Sequence, residues 1–187
     1  MSSRLNSMLR RAAFALLLAS AVAIAAGEAG RYQTRAEFLL ESFGHENPPS
    51  DVVWIDEELR ATAAKVLGHA PEMLRIRYWH DGARTAWILD EIGKEQPITF
   101  GVVVENAAIR HLRVMQFRES RGWEIRYPFF TDQFSQLRLT DSGTLSHGID
   151  AISGATLSVK AATRSANFAL VLDDYARRTR RNADNPR

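Results

Sequence analysis

The chain of 187 residues contains no cysteine. This absence excludes disulfide bonds, a lipid anchor on an N-terminal cysteine, thiolate-bound iron–sulfur clusters and c-type haem attachment. If the protein carries electrons, the lack of thiolate ligands favours an organic cofactor over a metal cluster.

Beyond its first 26 residues the chain also lacks an excess of charge of either sign. The sequence pI is ≈ 9.2, with 24 basic and 22 acidic residues in all. Three of the basic residues, Arg4, Arg10 and Arg11, lie within residues 1–26, which contain no acidic residue. Without these three, 21 basic residues remain against 22 acidic ones. We therefore expect no nucleic-acid partner, because such partners require a strongly basic surface.

No apolar run reaches the ~20 residues that a membrane-spanning helix needs. A largely apolar run of about 15 residues from Ala12 to Ala26 follows Arg10-Arg11 and includes Ala23-Ile24-Ala25, a candidate cleavage site. Residues 1–26 thus have the form of a secretory signal peptide, or of an N-terminal anchor if they are not removed. The sequence predicts export to the periplasm or cell envelope.

The remaining sequence predicts two helices, a set of strands and a final long helix. Thr34-Arg35-Ala36-Glu37 is a capping box that opens the first helix. A second helix begins near Asp56, and Gly68 is expected to end it. Four strands follow, at Leu74–Tyr78, Thr85–Ile92, Ile98–Glu105 and Ile109–Phe117, and then a helix from Leu157 to about Thr179.

Consecutive strands joined by tight turns, such as the one at Asp81-Gly82, favour antiparallel pairing. The expected fold class is therefore α+β, with an antiparallel sheet and flanking helices.

The segment Asp150–Thr156 carries small residues, one glycine and a terminal hydroxyl immediately before the long helix. A helix N-terminus attracts phosphate through its free N–H groups and its dipole. Ser153 and Gly154 permit a tight backbone, and Ala155 leaves room beside it. The N–H groups near Leu157 and Ser158 are placed to hold a phosphate.

The hydroxyl of Thr156 has three possible roles at this position. It can cap the helix, donate a hydrogen bond to a phosphate, or be the site of covalent attachment. Spacing alone does not choose among these roles.

The segment Asp150–Thr156 resembles the flavinylation motif of the FMN-binding domain family. That family includes the flavin-carrying periplasmic subunits of sodium-pumping NADH:quinone oxidoreductase and of Rnf complexes. In it, the final threonine of the motif bears FMN through a phosphoester bond made by an exported flavin transferase, with FAD as donor. The resemblance implies covalent FMN on Thr156, with Asp150 and Ser153 shaping the loop or contacting the transferase.

The resemblance extends upstream and covers roughly residues 90–180. Glu119-Ser120-Arg121-Gly122 is similar to a Glu-Thr-Pro-Gly segment of the family, with Ser-Arg in place of Thr-Pro. By position, the resemblance implies that Glu119 and Gly122 contribute to the cofactor site. It also implies the fold of the FMN-binding domain.

The expected organisation is a signal peptide or anchor at 1–26, a helical and β extension at 27–89, the FMN-binding domain at 90–180 and a polar tail at 181–187. The expected function is electron relay by an exported flavoprotein, rather than catalysis by a stand-alone enzyme. Its expected partners are a flavin transferase and membrane or envelope redox proteins. Two alternatives remain open: a flavin-dependent reductase with its own small substrate, and a flavin-free envelope binding module.

Four further residues have two interpretations each. Trp123 and Tyr127 are candidates for stacking on a flavin ring, although aromatic residues beside strands more often belong to a core. Arg118 and Arg121 are candidates for offsetting negative charge on a phosphate or a reduced flavin, or are ordinary surface residues.

Overall fold

The helices of the N-terminal part begin and end at the signals that the sequence carries. Thr34 Oγ1 accepts a hydrogen bond from the Glu37 N–H at 3.2 Å, and Glu37 Oε2 accepts one from the Thr34 N–H at 2.7 Å. This confirms the capping box of helix α1 (Arg35–Phe43). Helix α2 (Glu57–Leu67) follows Asp56, whose Oδ1 accepts from the Leu59 N–H at 2.8 Å. It ends at Gly68 with φ of 77°, as predicted.

The computed structural model describes residues 30–184, and for residues 183–184 the backbone alone. The predicted signal peptide or anchor at 1–26 and the last three residues of the predicted tail lie outside the described residues. The remaining elements are the strands β1 (Ser50–Trp54), β2 (Arg75–Asp81), β3 (Arg84–Ile92), β4 (Pro97–Glu105) and β5 (Ala108–Gln116), helix α3 (Pro128–Thr131) between the 3-10 turns Trp123–Arg126 and Asp132–Phe134, and helix α4 (Thr156–Asp184).

The five strands form one antiparallel sheet in the order β1-β2-β3-β4-β5. The α+β fold class is therefore confirmed. Four of the strands were predicted from the sequence. Strand β1 was not, because it is only five residues long and directly follows Pro48-Pro49. It pairs with β2 from Ser50↔Trp79 to Trp54↔Arg75.

Helices cover both faces of the sheet. Helices α2 and α4 pack on one face, where one side of α4 is buried through Val159, Ala162, Ala166, Ala169 and Leu170. Helix α1 packs on the other face, where Phe38 and Leu39 join Ala86, Val103 and Met115 in a smaller cluster. Within residues 30–184, no helix has the length and apolar character required of a membrane span.

Candidate functional site

A groove of about 360 Å³ lies at the N-terminus of α4. Three segments of the chain meet there: the turn between β3 and β4, the segment that follows β5, and the first turn of α4. The structure thus brings together the two segments that the sequence analysis selected. The residues that line the groove are Lys94, Glu119, Ser120, Arg121, Gly154, Ala155, Thr156, Leu157 and Ser158.

The first turn of α4 leaves its backbone donors free. The Ala155 carbonyl accepts from the Val159 N–H at 2.9 Å, so Ala155 is the N-cap and Thr156 is the first helical residue. Alanine has no side-chain acceptor, and within the described part of the chain nothing accepts from the N–H groups of Thr156, Leu157 or Ser158. Three free N–H groups at the positive end of a helix dipole favour an anion there.

Thr156 does not cap the helix, so that interpretation of its hydroxyl is wrong. Thr156 is exposed, and its Oγ1 makes no hydrogen bond to any of residues 30–182. The preceding turn explains the exposure. Gly154 has φ of 81° with open space around it, and the buried Ala155 donates its N–H to the Ile152 carbonyl at 3.0 Å. The hydroxyl is therefore accessible from the groove.

Gly122 lets the segment after β5 pack directly against the start of α4. Its φ is 90°, and a Cβ at this position would lie 2.7 Å from Ser158 Oγ and 3.3 Å from Ala155 Cβ. Only glycine combines this backbone conformation with this close approach. Gly122 therefore shapes the groove by its lack of a side chain.

Glu119 fixes the turn between β3 and β4. Its Oε1 accepts hydrogen bonds from the backbone N–H groups of Lys94 at 2.5 Å, Glu95 at 2.6 Å and Gln96 at 2.9 Å. Burial acts to raise the pKa of the Glu119 carboxyl, but these three donors outweigh it and hold that pKa below its usual value. Glu119 thus lines the groove and also positions one of its walls.

Gly93 provides the space in which the Glu119 carboxylate sits. A Cβ on Gly93 would lie 2.8 Å from Glu119 Oε1 and 3.0 Å from Ile98 Cδ1. Glycine at this position therefore allows the carboxylate to reach the three N–H groups of the turn.

Lys94 is a site residue that sequence reasoning missed. It lies in a hairpin turn 62 positions before Thr156 in the sequence, and only the contact with Glu119 places it on the groove. Lys94 and Arg121 give the groove two cationic side chains, although the Lys94 ammonium lies 3.1 Å from the exposed carboxylate of Glu95. Arg118 takes no part, because it donates to the Pro97 carbonyl at 2.9 Å and to Thr99 Oγ1 at 3.1 Å.

Four other candidates lie outside the lining of the groove. Asp150 and Ser153 are exposed in the preceding loop, where the Asp150 N–H donates to Gln133 Oε1 at 2.8 Å. Trp123 and Tyr127 are neither core residues nor part of the groove. They are 42% and 37% exposed, and the Arg126 guanidinium lies 5.1 and 4.9 Å from their ring centres.

Comparison with known families identifies one segment of the chain. A family model described as an FMN-binding domain matches residues 93–171. No curated protein matches the chain. Every residue that lines the groove falls within the matched segment.

Proposed function

Because the chain contains a domain of the FMN-binding domain family and FMN is its cofactor, we propose that the flavin is attached to Thr156 through a phosphoester bond. We also propose that the protein relays electrons between envelope partners. One observation supports the attachment site: at the first residue of α4, an exposed hydroxyl that has no hydrogen bond within residues 30–182 lines the groove.

The groove fits the phosphate of FMN. The free N–H groups of Thr156, Leu157 and Ser158 and the helix dipole favour its negative charge. Lys94 and Arg121 add two cationic side chains. These groups would hold the phosphate of FMN beside Thr156.

Electron relay rests on the chemistry of the cofactor. FMN supplies one- and two-electron chemistry when bound. A volume of about 360 Å³ lies near the lower end of the ~300–1,000 Å³ found for small-molecule sites. The groove therefore has room for one small bound group.

Attachment needs a flavin transferase with FAD as donor, as the family resemblance implies. Thr156 Oγ1 attacks the phosphorus on the FMN side of the FAD pyrophosphate and forms the new P–O bond. The P–O bond to the adenylate half breaks, AMP leaves, and the hydroxyl proton passes to the transferase or to water. Asp150 and Ser153, exposed beside the groove, are available to contact the transferase.

The attachment site is tested by co-expressing the full chain with an exported flavin transferase and viewing flavin fluorescence in a denaturing gel. Wild type is expected to give a fluorescent band that is absent in Thr156→Val. Thr62→Val is a matched control, because Thr62 is another exposed helical threonine, whose hydroxyl donates to the Glu58 carbonyl of its own helix at 3.1 Å. A dark wild-type band contradicts covalent attachment, and a fluorescent Thr156→Val band contradicts the assignment to Thr156.

Export is tested in the same cells by deleting residues 2–26. The truncated chain is expected to remain in the cytoplasm and to stay dark, because it does not reach the exported transferase. Recovery of the full chain in the cytoplasmic fraction contradicts the proposed localisation.

A further inference from the structure

Four exposed aromatic side chains form a patch near β5, here called the aromatic patch. Its members Tyr32, Trp123, Tyr127 and Phe129 are 39%, 42%, 37% and 63% exposed. The ring centres of Trp123 and Tyr127 are 5.7 Å apart, and those of Tyr127 and Phe129 are 6.3 Å apart. The Tyr32 N–H donates to the Met115 carbonyl of β5 at 2.8 Å. Scattered apolar residues are ordinary on a surface, whereas a contiguous group indicates a contact surface.

Arg126 adds a positive charge to the aromatic patch. Its guanidinium carbon lies 4.5, 5.1 and 4.9 Å from the ring centres of Tyr32, Trp123 and Tyr127. Its Nη2 donates to the Tyr127 hydroxyl at 3.0 Å, and it forms no ion pair with a carboxylate of residues 30–182. The aromatic patch thus combines apolar rings with a cation whose charge is not neutralised by the described residues.

This composition fits the surface of a phospholipid bilayer. Trp and Tyr rings are enriched at the level of the lipid headgroups, because each has an apolar body and one polar atom. Phe129 is apolar and the most exposed of the four, so it suits the boundary of the acyl chains. A guanidinium pairs well with a lipid phosphate. Protein interfaces are also rich in aromatic residues and arginine, so composition alone does not choose between the two.

The place of Tyr32 in the chain favours the bilayer. The predicted signal peptide or anchor ends at Ala26, six residues before Tyr32. Six residues of extended chain span at most about 20 Å. While residues 1–26 are held in a membrane, the aromatic patch is therefore within that distance of the lipid surface. So short a tether gives the patch a high effective concentration at the bilayer, so that a small contact area is sufficient.

We propose that the aromatic patch lies on the bilayer surface beside a membrane-held N-terminal segment, with Phe129 at the acyl boundary and Arg126 next to lipid phosphates. Trp123 directly follows Gly122, which packs against Ser158 of the groove. The contact therefore also sets how the groove is oriented relative to the membrane. This inference rests on the proposed export and not on covalent flavin or on electron relay.

The test is quenching of tryptophan fluorescence by brominated lipid, which acts at short range. The full chain is made by cell-free synthesis without signal peptidase or flavin transferase, so that residues 1–26 are retained and no flavin is attached. Vesicles of phosphatidylethanolamine, phosphatidylglycerol and brominated phosphatidylcholine are present during synthesis and are then recovered by flotation. Residues 1–26 contain no tryptophan, so the signal comes from Trp54, Trp79, Trp87 and Trp123.

We expect the chain to float with the vesicles and its fluorescence to be quenched. Trp123→Phe should remove more than about half of the quenching, because a tryptophan of the aromatic patch lies at the headgroup level. Trp54→Phe is the matched control and should leave the quenching unchanged. Trp54 is 62% exposed but lies on β1, which four strand spacings of about 4.8 Å, or about 19 Å in all, separate from β5.

Three results overturn the proposal: a chain that does not float with the vesicles, fluorescence that is not quenched, and equal losses of quenching in Trp123→Phe and Trp54→Phe. A floating chain whose Trp123 stays unquenched leaves a protein partner as the occupant of the aromatic patch. Failure of export itself is detected separately, by the cell fractionation described above.

The role of Phe129 is tested with Phe129→Asp. A carboxylate at the acyl boundary is unfavourable, so this variant should reduce the quenching of Trp123 at least about twofold. Leu74→Asp is the matched control: Leu74 is 70% exposed, and its carbonyl accepts from the Ile55 N–H at 2.9 Å, which places it near Trp54. It should leave the quenching unchanged. Equal effects of the two variants overturn the assignment of Phe129.

Discussion

Residues 93–171 and the residues before them build the same sheet but contribute differently to the site. The matched segment supplies β4, β5, most of α4 and every residue that lines the groove. The preceding segment supplies α1, α2 and β1–β3, and its last strand, β3, pairs with β4 from Arg84↔Glu105 to Ile92↔Pro97. Without them the matched segment would keep a two-stranded hairpin, which is marginal in water. The residues that line the groove therefore all lie in the matched segment, while the stability of the sheet depends on both segments.

Both segments also contribute the helices that cover the two faces of the sheet. Helix α4, from the matched segment, covers one face together with α2. Helix α1, from the preceding segment, covers the other and places Phe38 over Gly101 of β4. A Cβ on Gly101 would lie 2.6 Å from the Phe38 ring. The preceding segment thus packs directly on a strand of the matched one.

The largest expected effect comes from breaking this contact between the two segments. Phe38→Ala removes a side chain that is 0% exposed and should lower the free energy of unfolding by about 3–5 kcal/mol. Leu40→Ala, on the same helix but 46% exposed, should cost about 0.5 kcal/mol. The measurement is urea denaturation followed by circular dichroism and tryptophan fluorescence. A Phe38→Ala cost below about 1 kcal/mol, or two separate transitions, would show that the segments are independent.

A smaller effect is expected inside the matched segment at Gly122. Gly122→Ala combines an unfavourable positive φ, about 1–2 kcal/mol, with a clash against Ser158 that adds about 1–3 kcal/mol. Gly143→Ala has a φ of 79° but no atom within 4 Å, so it measures the backbone cost alone. Thermal denaturation of both variants separates the cost of the clash from the cost of the backbone conformation.

Gly122→Ala should also reduce flavin fluorescence in the gel assay, whereas Gly143→Ala should not. Equal stability and equal flavin attachment in the two variants would refute the close-packing role of Gly122.

The smallest expected effect concerns Glu119 at the turn that opens the matched segment. Its lowered pKa in the folded state means that the ionised carboxylate stabilises the fold above the unfolded pKa of about 4.3. That contribution is lost as the pH falls through the lower folded pKa. Glu119→Gln keeps an acceptor but removes the charge, so it should cost about 1 kcal/mol at pH 7 and progressively less below about pH 4.

This prediction is checked by measuring the free energy of unfolding at several pH values. Glu46→Gln, at an exposed position, removes the same charge and should show little difference from wild type at any pH. A Glu119→Gln cost that does not change with pH would indicate that the carboxylate charge is not what holds the turn.

Local sequence signals predicted much of the fold because they act within a few residues. The capping box at Thr34, the helix start near Asp56 and the stop at Gly68 were all correct, since caps depend on neighbouring backbone groups. The four predicted strands also formed. Strand β1 was missed because its five residues depend on pairing with β2, which a short stretch of sequence does not reveal.

The sequence by itself determined the α+β class, the segment around Thr156 and its resemblance to a flavin-binding family. Only the tertiary structure decided that Ala155 is the N-cap, which leaves the Thr156 hydroxyl and three N–H groups free. It also decided that Glu119 holds Lys94 on the groove and that Trp123 lies outside it. The physical reason is the sequence separation of the interacting residues. Caps and turns are set by adjacent residues, whereas the groove is formed by segments that meet only when β4, β5 and α4 pack together.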